Sequence, residues 1–410
     1  MVPAYGANRF LSPDRRTMNY VFLLGFFAIF STTLSKNPVL PLFSQAIGAN
    51  DTVIGLVAAA SPLAGILFSF PVGVLSDYIG RKRLLITSGV VFLSAPLLYL
   101  IITDPLWLIP IRFFHGTATA ILGPVISAVI AERFPEKKGA MLGQYSSATL
   151  LGRTLAPLTG GIILSTFLIY PGLVPYRVVY ATAALAAVPV LIMTLMYHEN
   201  YQVPQGKIPV SRFRSSFIIF FSHAGLRATA FVDMATYFSF GAFETFLPLF
   251  LALRGFDPYL TGIIFAIQVL IIAGTKPFFG NLADHFDKRI QIVTGLIILG
   301  VSVALIPFTT GFIPILVISS MFGLGISLST VATSAYVADI AQKEQIGASM
   351  GALSSTMDIG HSAGPLVTGM VITSIGYSSG FFISFLLTFI VAVFFAVSVR
   401  DKNNTTSITA

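Results

Sequence analysis

The chain has 410 residues, 55% of them hydrophobic and 10% charged, with a mean hydropathy of +0.86. That leaves too little polar surface for a water-soluble globule of this length, so the solvent expected is a lipid bilayer. A net charge of +8 does not point to nucleic acid, because the basic residues fall in short clusters between apolar runs, and the absence of cysteine excludes disulfides, thiolate catalysis and cysteine-ligated metal.

The first seventeen residues carry Arg9, Asp14, Arg15 and Arg16 without an apolar run ending in small residues, so no removable signal peptide is expected. Apolar stretches of about twenty residues, enough for a helix to cross a ~30 Å hydrocarbon core, then recur along the chain. They fall near 18–43, 52–75, 84–102, 107–131, 140–168 and 177–197, and again near 228–251, 259–279, 290–308, 313–338, 348–372 and 377–399. This is the pattern of an all-α membrane protein with twelve transmembrane helices. The one long connection runs from His198 to about Leu226; its basic first half and the aromatic run Phe217 to Phe221 predict a linker ending in an interfacial helix. The alternative is an early start to the seventh span, which would make that helix longer than a bilayer needs. The organisation expected is a six-helix bundle over 1–197, a cytoplasmic linker over 198–226 and a second bundle over 227–410.

Lys and Arg crowd alternate connections: Arg81, Lys82 and Arg83; Arg133, Lys137 and Lys138; Lys207, Arg212 and Arg214; Lys288 and Arg289; Lys343. The opposite loops hold only Arg177 and Arg254. The positive-inside rule therefore places the basic side, with both termini, in the cytoplasm, and the chain as a multi-pass protein of the cytoplasmic membrane.

The sequence repeats itself. Leu40-Pro41-Leu42-Phe43 returns as Leu247-Pro248-Leu249-Phe250, an offset of 207 that also carries Gly55 onto Gly262, Gly73 onto Gly280, Asp77 onto Asp284, Gly116 onto Gly323 and Glu132 onto Asp339. One added residue carries Gly143, Gly152, Pro157 and Gly161 onto Gly351, Gly360, Pro365 and Gly369. Two six-helix parallel repeats related by an axis along the membrane normal predict a substrate site at the midplane between them.

With those residues in place the chain resembles the major facilitator superfamily over essentially its whole length, in its twelve-helix drug:proton antiporter type. The connection after the second span, with Gly73, Leu75, Asp77, Gly80, Arg81 and Lys82, is similar to the family's first signature loop. Its degenerate copy is Gly280, Leu282, Asp284, Lys288 and Arg289, with Asp287 where a glycine is expected. Physically, the glycine allows close helix approach, and Asp77 is placed to pair with a basic residue such as Arg133. The resemblance implies a clamp that steadies one conformation. Arg112, Gly116 and Ala120 in the fourth span resemble the family motif whose arginine assists proton coupling, with His115 on the same face as a further candidate or a packing residue. Gly143, Gly152, Ala156, Pro157, Gly160 and Gly161 resemble the fifth-span signature of exporters that exchange substrate for protons, although Ala156 stands where a glycine is usual; Gly360, Gly364 and Pro365 echo it in the eleventh.

The ionisable residues inside spans are Lys36, Arg112, Arg153, Asp233, Glu244, Lys276, Asp358 and His361. An intramembrane charge costs at least ~2.5 kcal/mol on insertion scales, so each is a site candidate. Lys36 faces the cavity or snorkels outward; Lys276, near a span end, is expected to snorkel. Asp233 and Glu244, eleven residues apart, share a face of the seventh helix, and Glu244 is the leading candidate for proton coupling. Asp358 and His361 share a face of the eleventh and form a second candidate. The alternative is that the acids only neutralise Lys36, Arg112 or Arg153 in static pairs.

Two transport functions follow. The resemblance favours a proton-coupled exporter of drug-like or amphipathic compounds; the cations Lys36, Arg112 and Arg153 suit a symporter or exchanger of a small organic anion. A membrane enzyme would need a metal cluster, a nucleophile elbow or an accessible phosphate loop, and none is legible. The expectation is a monomer without metal or cofactor, whose partners are a small-molecule substrate, protons and the bilayer.

Overall fold

The computed structural model describes residues 13–198, 223–341 and 346–399. Among the described residues the regular structure is helical. In the first half, α1 (Pro13–Leu34) and α2 (Val39–Ala46) together make the first span, followed by α3 (Asp51–Ile79), α4 (Arg81–Tyr99), α5 (Leu108–Arg133), α6 (Lys138–Phe167) and α7 (Val174–Met196). The second half comprises α8 (Ala224–Leu253), α9 (Pro258–His285), α10 (Lys288–Leu305), α11 (Phe312–Ile340), α12 (Ile346–Ile375) and α13 (Tyr377–Ser398). Eleven segments among the described residues are long and apolar enough to cross a membrane. The remaining span, α12, is as long at 30 residues but is diluted by glycines, hydroxyl residues, Asp358 and His361.

The span expected as one helix over 18–43 is broken between Ser35 and Pro38. Pro38 has no N–H to give and restricts Asn37 before it. The Lys36 and Asn37 N–H groups both donate to the Thr33 carbonyl, at 3.0 and 2.9 Å, and Leu40 donates to the Lys36 carbonyl at 2.9 Å. Residues Val39 to Ser44 are all buried, the condition under which broken backbone survives at membrane depth. Other ends are set by ordinary caps: Asn50 accepts the Val53 N–H at 2.9 Å, and Asp257 accepts the Tyr259 N–H at 2.8 Å beside Pro258 in the first turn of α9. Gly80, at φ +92°, is the single residue between α3 and α4, a turn that a side chain would resist. The seventh span starts at Ala224, earlier than 228; the interfacial helix expected within 198–226 falls on 199–222, outside the described residues.

The sequence repeat is repeated in the packing. A Cβ on Gly55 of α3 would collide with the Pro365 carbonyl of α12, and a Cβ on Gly262 of α9 would collide with the Pro157 carbonyl of α6. These are the same contact in the two copies, and they join opposite halves. Around the α3–α12 seam, Ser362 donates to the Ala59 carbonyl at 3.0 Å, the Thr52 and Thr373 hydroxyls lie 2.9 Å apart, and Tyr377 donates to Asp51 at 2.8 Å. Around the α6–α9 seam, Ser165 bonds Asp257 and accepts the Tyr259 N–H.

These bonds lie from mid-span to the end of the bundle remote from the termini. There one continuous apolar core crosses both halves, including Phe43, Tyr180, Phe243, Phe246 and Phe381. Toward the termini the core divides: one cluster around Leu24, Phe92 and Val125 belongs to the first half, another around Val232, Ile292 and Phe395 to the second. Among the described residues, one shared core closes the far end, and toward the termini each half has its own.

The seal can be loosened at one atom. Overpacking costs about 1–3 kcal/mol, so Gly55→Val is expected to depopulate this arrangement. Because the chain has no cysteine, a Thr52→Cys, Thr373→Cys pair reports the seam cleanly. Disulfide yield should be high in the parent background and fall several-fold with Gly55→Val, while folding by size-exclusion profile is kept.

Candidate functional site

At mid-span, where the two halves meet, the break after α1 delivers Lys36 and Asn37 against Glu244 of α8. Lys36 Nζ donates to Glu244 Oε2 at 2.6 Å, and Asn37 Nδ2 donates to the other carboxylate oxygen at 2.8 Å. His361 of α12 completes the group, its Nε2 lying 3.2 Å from both Lys36 Nζ and Glu244 Oε2. The imidazole reaches that position because α12 lies almost on the backbone of α8. A Cβ on Gly360 or Gly364 would strike the Met234 or Phe238 carbonyl, and one on Gly241 would sit 2.9 Å from the His361 carbonyl. The Phe240 ring meets His361 edge-on at 5.5 Å, and Tyr237 lies 6.3 Å away. The side chains of Lys36, Glu244 and His361 remain 21%, 12% and 19% exposed. They are therefore dry enough for a strong ion pair and open enough for a proton or ligand to reach.

Chemically, the carboxylate is held by a lysine ammonium, a neutral amide donor and a titratable imidazole. While it is ionised it ties α1 and α2 to α8 and α12. When it takes a proton, Lys36 loses its counter-ion, and removing one partner of a buried pair costs about 3–5 kcal/mol.

Arg112 lies outside this group, in the wall of the first half. It is 3% exposed on α5, faces the Tyr99 hydroxyl, and stands within electrostatic range of Lys36. His115, one turn on, is buried, with Tyr99 Oη 3.4 Å from its Nδ1; the Tyr99 and Tyr180 rings are tilted by 35° with centroids 4.7 Å apart. Arg112 Nε and Nη1, His115 Nε2 and Tyr180 Oη have no hydrogen-bond partner among the described residues. Asp233 does not join Glu244. It lies three turns nearer the termini on α8, buried, with Oδ1 unpartnered among the described residues. Asp358, one turn from His361, is half-buried against Gly65 of α3 and does not hydrogen-bond it. Arg153 is exposed on α6 and within electrostatic range of Lys36, His361 and Tyr237. Lys276, expected to snorkel, is within range of Arg153.

In the signature loop, Arg81 is buried and pairs with Glu132 of α5; the repeat carries that pair onto Lys288 and Asp339, 2.8 Å apart. The side chains of Gly73 and Asp77 lie outside the described ones, so the expected Asp77 to Arg133 pairing is not on view; Arg133 is exposed in the last turn of α5. In the copy, Asp284 is exposed, and among the described residues a Cβ on Gly280 would meet only Val331, at 4.0 Å. Gly152 packs α6 on α1, where a Cβ would lie 2.8 Å from the Phe26 carbonyl, and Gly161 packs it on α9 at the Pro258 carbonyl.

The residue that sequence reasoning missed is Asn37. A neutral amide beside prolines carries no charge signal, but the offset of 207 places it opposite Glu244 itself. The two are equivalent positions of the two copies, which is why they meet on the axis between them.

The model of the Major Facilitator Superfamily matches residues 21–275 and 234–409. Among curated proteins, an uncharacterised transporter of this type from Methanocaldococcus jannaschii is 23% identical over 360 residues, 87% of this chain and 91% of that one. A multi-drug resistance efflux pump PmrA homolog of Lactococcus lactis is 23% identical over 370 residues, 87% and 89% of the two chains. The quinolone resistance protein NorA of Staphylococcus aureus is 23% identical over 356, covering 85% and 88%. Among solved structures, a bacterial homologue of the human lysosomal transporter Spinster, inward-facing and occupied, superposes with a TM-score of 0.76 at 16% identity, covering 96% and 99%. The nucleoside transporter NupG gives 0.75 at 11%, covering 93% and 100%. Duplicated six-helix packing, the signature residues and these matches agree: this chain belongs to the Major Facilitator Superfamily and is a multi-pass membrane transporter, not an enzyme.

Proposed function

We propose that this transporter is a proton-coupled antiporter that exports drug-like or amphipathic compounds across the cytoplasmic membrane by alternating access, with both termini cytoplasmic. The observation that carries the reading is the Lys36–Glu244 pair, which ties the two halves together and can be broken by a proton. On this reading the sealed end faces outward and the split end faces the cytoplasm, in agreement with the basic connections on the termini side. The rigid units are the bundle before residue 198 and the bundle after 226, acting as a monomer. Protonation of Glu244 removes the counter-ion of Lys36, and His361, hydrogen-bonding distance from both, relays or stores that proton. Arg112, within electrostatic range of Lys36, raises the cost of leaving Lys36 unpaired. Release of the proton restores the pair and reseals the far end. The names of the Lactococcus and Staphylococcus relatives support export of drug-like compounds.

A second reading, proton-coupled symport or exchange of a small organic anion, draws on the cations Lys36, Arg112 and Arg153 beside the central space.

The coupling site is tested by purified protein in liposomes with a trapped pH dye and ethidium as the transported probe. A proton gradient should drive ethidium movement with matching proton counterflow, and Glu244→Gln should reduce coupled flux by at least about tenfold and make what remains insensitive to pH. Undiminished, gradient-driven flux in Glu244→Gln would remove Glu244 from the mechanism.

Asn37 gives an independent check. Charge-assisted hydrogen bonds contribute about 1.5–3 kcal/mol, so Asn37→Leu is expected to cut coupled flux about tenfold with folding retained. Asn37→Ser, which keeps a donor, should recover part of it. Equal flux in the Leu and Ser variants would reduce Asn37 to a packing residue.

A further inference from the structure

Arg153 and Lys276 are the two intramembrane cations that the coupling cluster leaves unused. Arg153 stands on α6 and Lys276 on α9, the two helices of one seam between the halves, and each is within electrostatic range of the other. Both are exposed, and neither has a hydrogen-bond or ion-pair partner among the described residues. Lys36, by contrast, is neutralised by Glu244.

The repeat says which way they point. It carries Arg153 onto His361, whose ring lies in the central cluster, so the equivalent position on α6 faces the same space from the other side. It also carries the facing pair Gly65 and Asp358 of the α3–α12 seam onto Ile272 and Leu150 of the α6–α9 seam. Lys276 is one turn beyond Ile272 and Arg153 one turn beyond Leu150, so the two cations flank that level of the seam. Tyr237 of α8 and Tyr145 of α6 are also within electrostatic range of Arg153.

Two like charges within electrostatic range of one another, with no acid paired to either among the described residues, are destabilising twice over, through desolvation and through mutual repulsion. Snorkelling does not account for Arg153, whose electrostatic neighbours lie in the middle of the bundle. An arrangement of this kind is stabilised when an anion lies between the two, a fork-shaped guanidinium and a point-like ammonium being a common pair for a carboxylate, sulfonate or phosphate group.

We propose that Arg153 and Lys276 form a subsite, in the space between the halves, for an anionic group carried on an apolar or aromatic substrate. The inference rests on the transporter reading for its setting, but not on proton coupling or on the direction of movement. To the compounds carried it adds the amphipathic organic anion, or a zwitterion presenting its anionic end to this seam.

The test is equilibrium binding to protein in lipid nanodiscs, where no gradient exists, so that a failure of proton coupling and a failure of this subsite are seen in separate experiments. The probes share one ring system and differ only in charge: 2-naphthoate and 2-naphthamide. Wild-type protein should bind the carboxylate at least about tenfold more tightly than the amide, as expected for charge-assisted hydrogen bonds. Arg153→Gln and Lys276→Gln should each erode that preference, the double variant should abolish it, and Arg153→Lys should keep most of it. If Arg153→Gln does not fold, Lys276→Gln, at an exposed position, carries the same readout. Equal binding of the two probes by the wild type, or a preference that survives in the double variant, would overturn the proposal.

Discussion

The arrangement depends on one carboxylate that has been taken out of water and surrounded. Glu244 is bonded by Lys36 and Asn37 from one half of the molecule and approached by His361 from its own half. A buried ion pair gives little net stability against an apolar alternative, but breaking it is expensive. That asymmetry suits a connection between two bodies: the pair does not need to hold the protein together, only to make one relative position of the halves costly to leave while the proton is absent. The local structure follows from this requirement. Pro38 interrupts the first span so that Lys36 and Asn37 leave the helix at the right height, and the glycines of α8 and α12 thin the helix contact until an imidazole fits beside the carboxylate.

The same thinning operates at the seams. Gly55 against Pro365 and Gly262 against Pro157 bring backbone within contact of backbone, where lipid-exposed helices would be separated by side chains. Contact of that kind is short-ranged and all-or-none, because a close-packed interface does not deform gradually. The far end is accordingly closed by a continuous core, and the termini end, which lacks such contacts between the described halves, has two separate cores. A sealed seam and a polar latch at mid-span together define this one position of the halves.

Much of this was legible in the sequence because it is written in symmetric or costly features. The duplication shows in matched glycines and prolines, and the structure places the matched residues in matched contacts. Intramembrane charges are rare, so Lys36 and Glu244 stood out, although composition had no means of joining them. What was illegible depends on rotation about a helix axis or on neutral polarity. Asn37 carries no charge, and Tyr99 and Tyr180 read as ordinary aromatics until they are found buried around Arg112. Asp233 and Glu244 share a face by periodicity, yet eleven residues of rise separate them into different layers. The break in the first span was signalled by two prolines, but a hydropathy window averages across it.

The repeat also shows what changed after duplication. Lys36, Arg112 and Arg153 of the first half correspond to Phe243, Ser319 and His361 of the second, whereas Asp233, Glu244 and Asp358 of the second correspond to Phe26, Asn37 and Leu150 of the first. The scaffold is symmetric; the deep charges are not. Every deep ion of the first half is a cation and every deep acid lies in the second, so the two bodies attract across the central space in proportion to the number of acids ionised. Protonation therefore acts beyond the single latch at Glu244, since each carboxylate that takes a proton weakens the pull between the halves. Lys276, near the termini end of its span, is a cation on the acidic side, set within range of Arg153 where attraction is replaced by repulsion. On the proposed reading, an anion bound at that point would restore the attraction locally and draw α6 and α9 together, whereas a proton taken up by Glu244 would weaken the pair that ties α1 and α2 to α8.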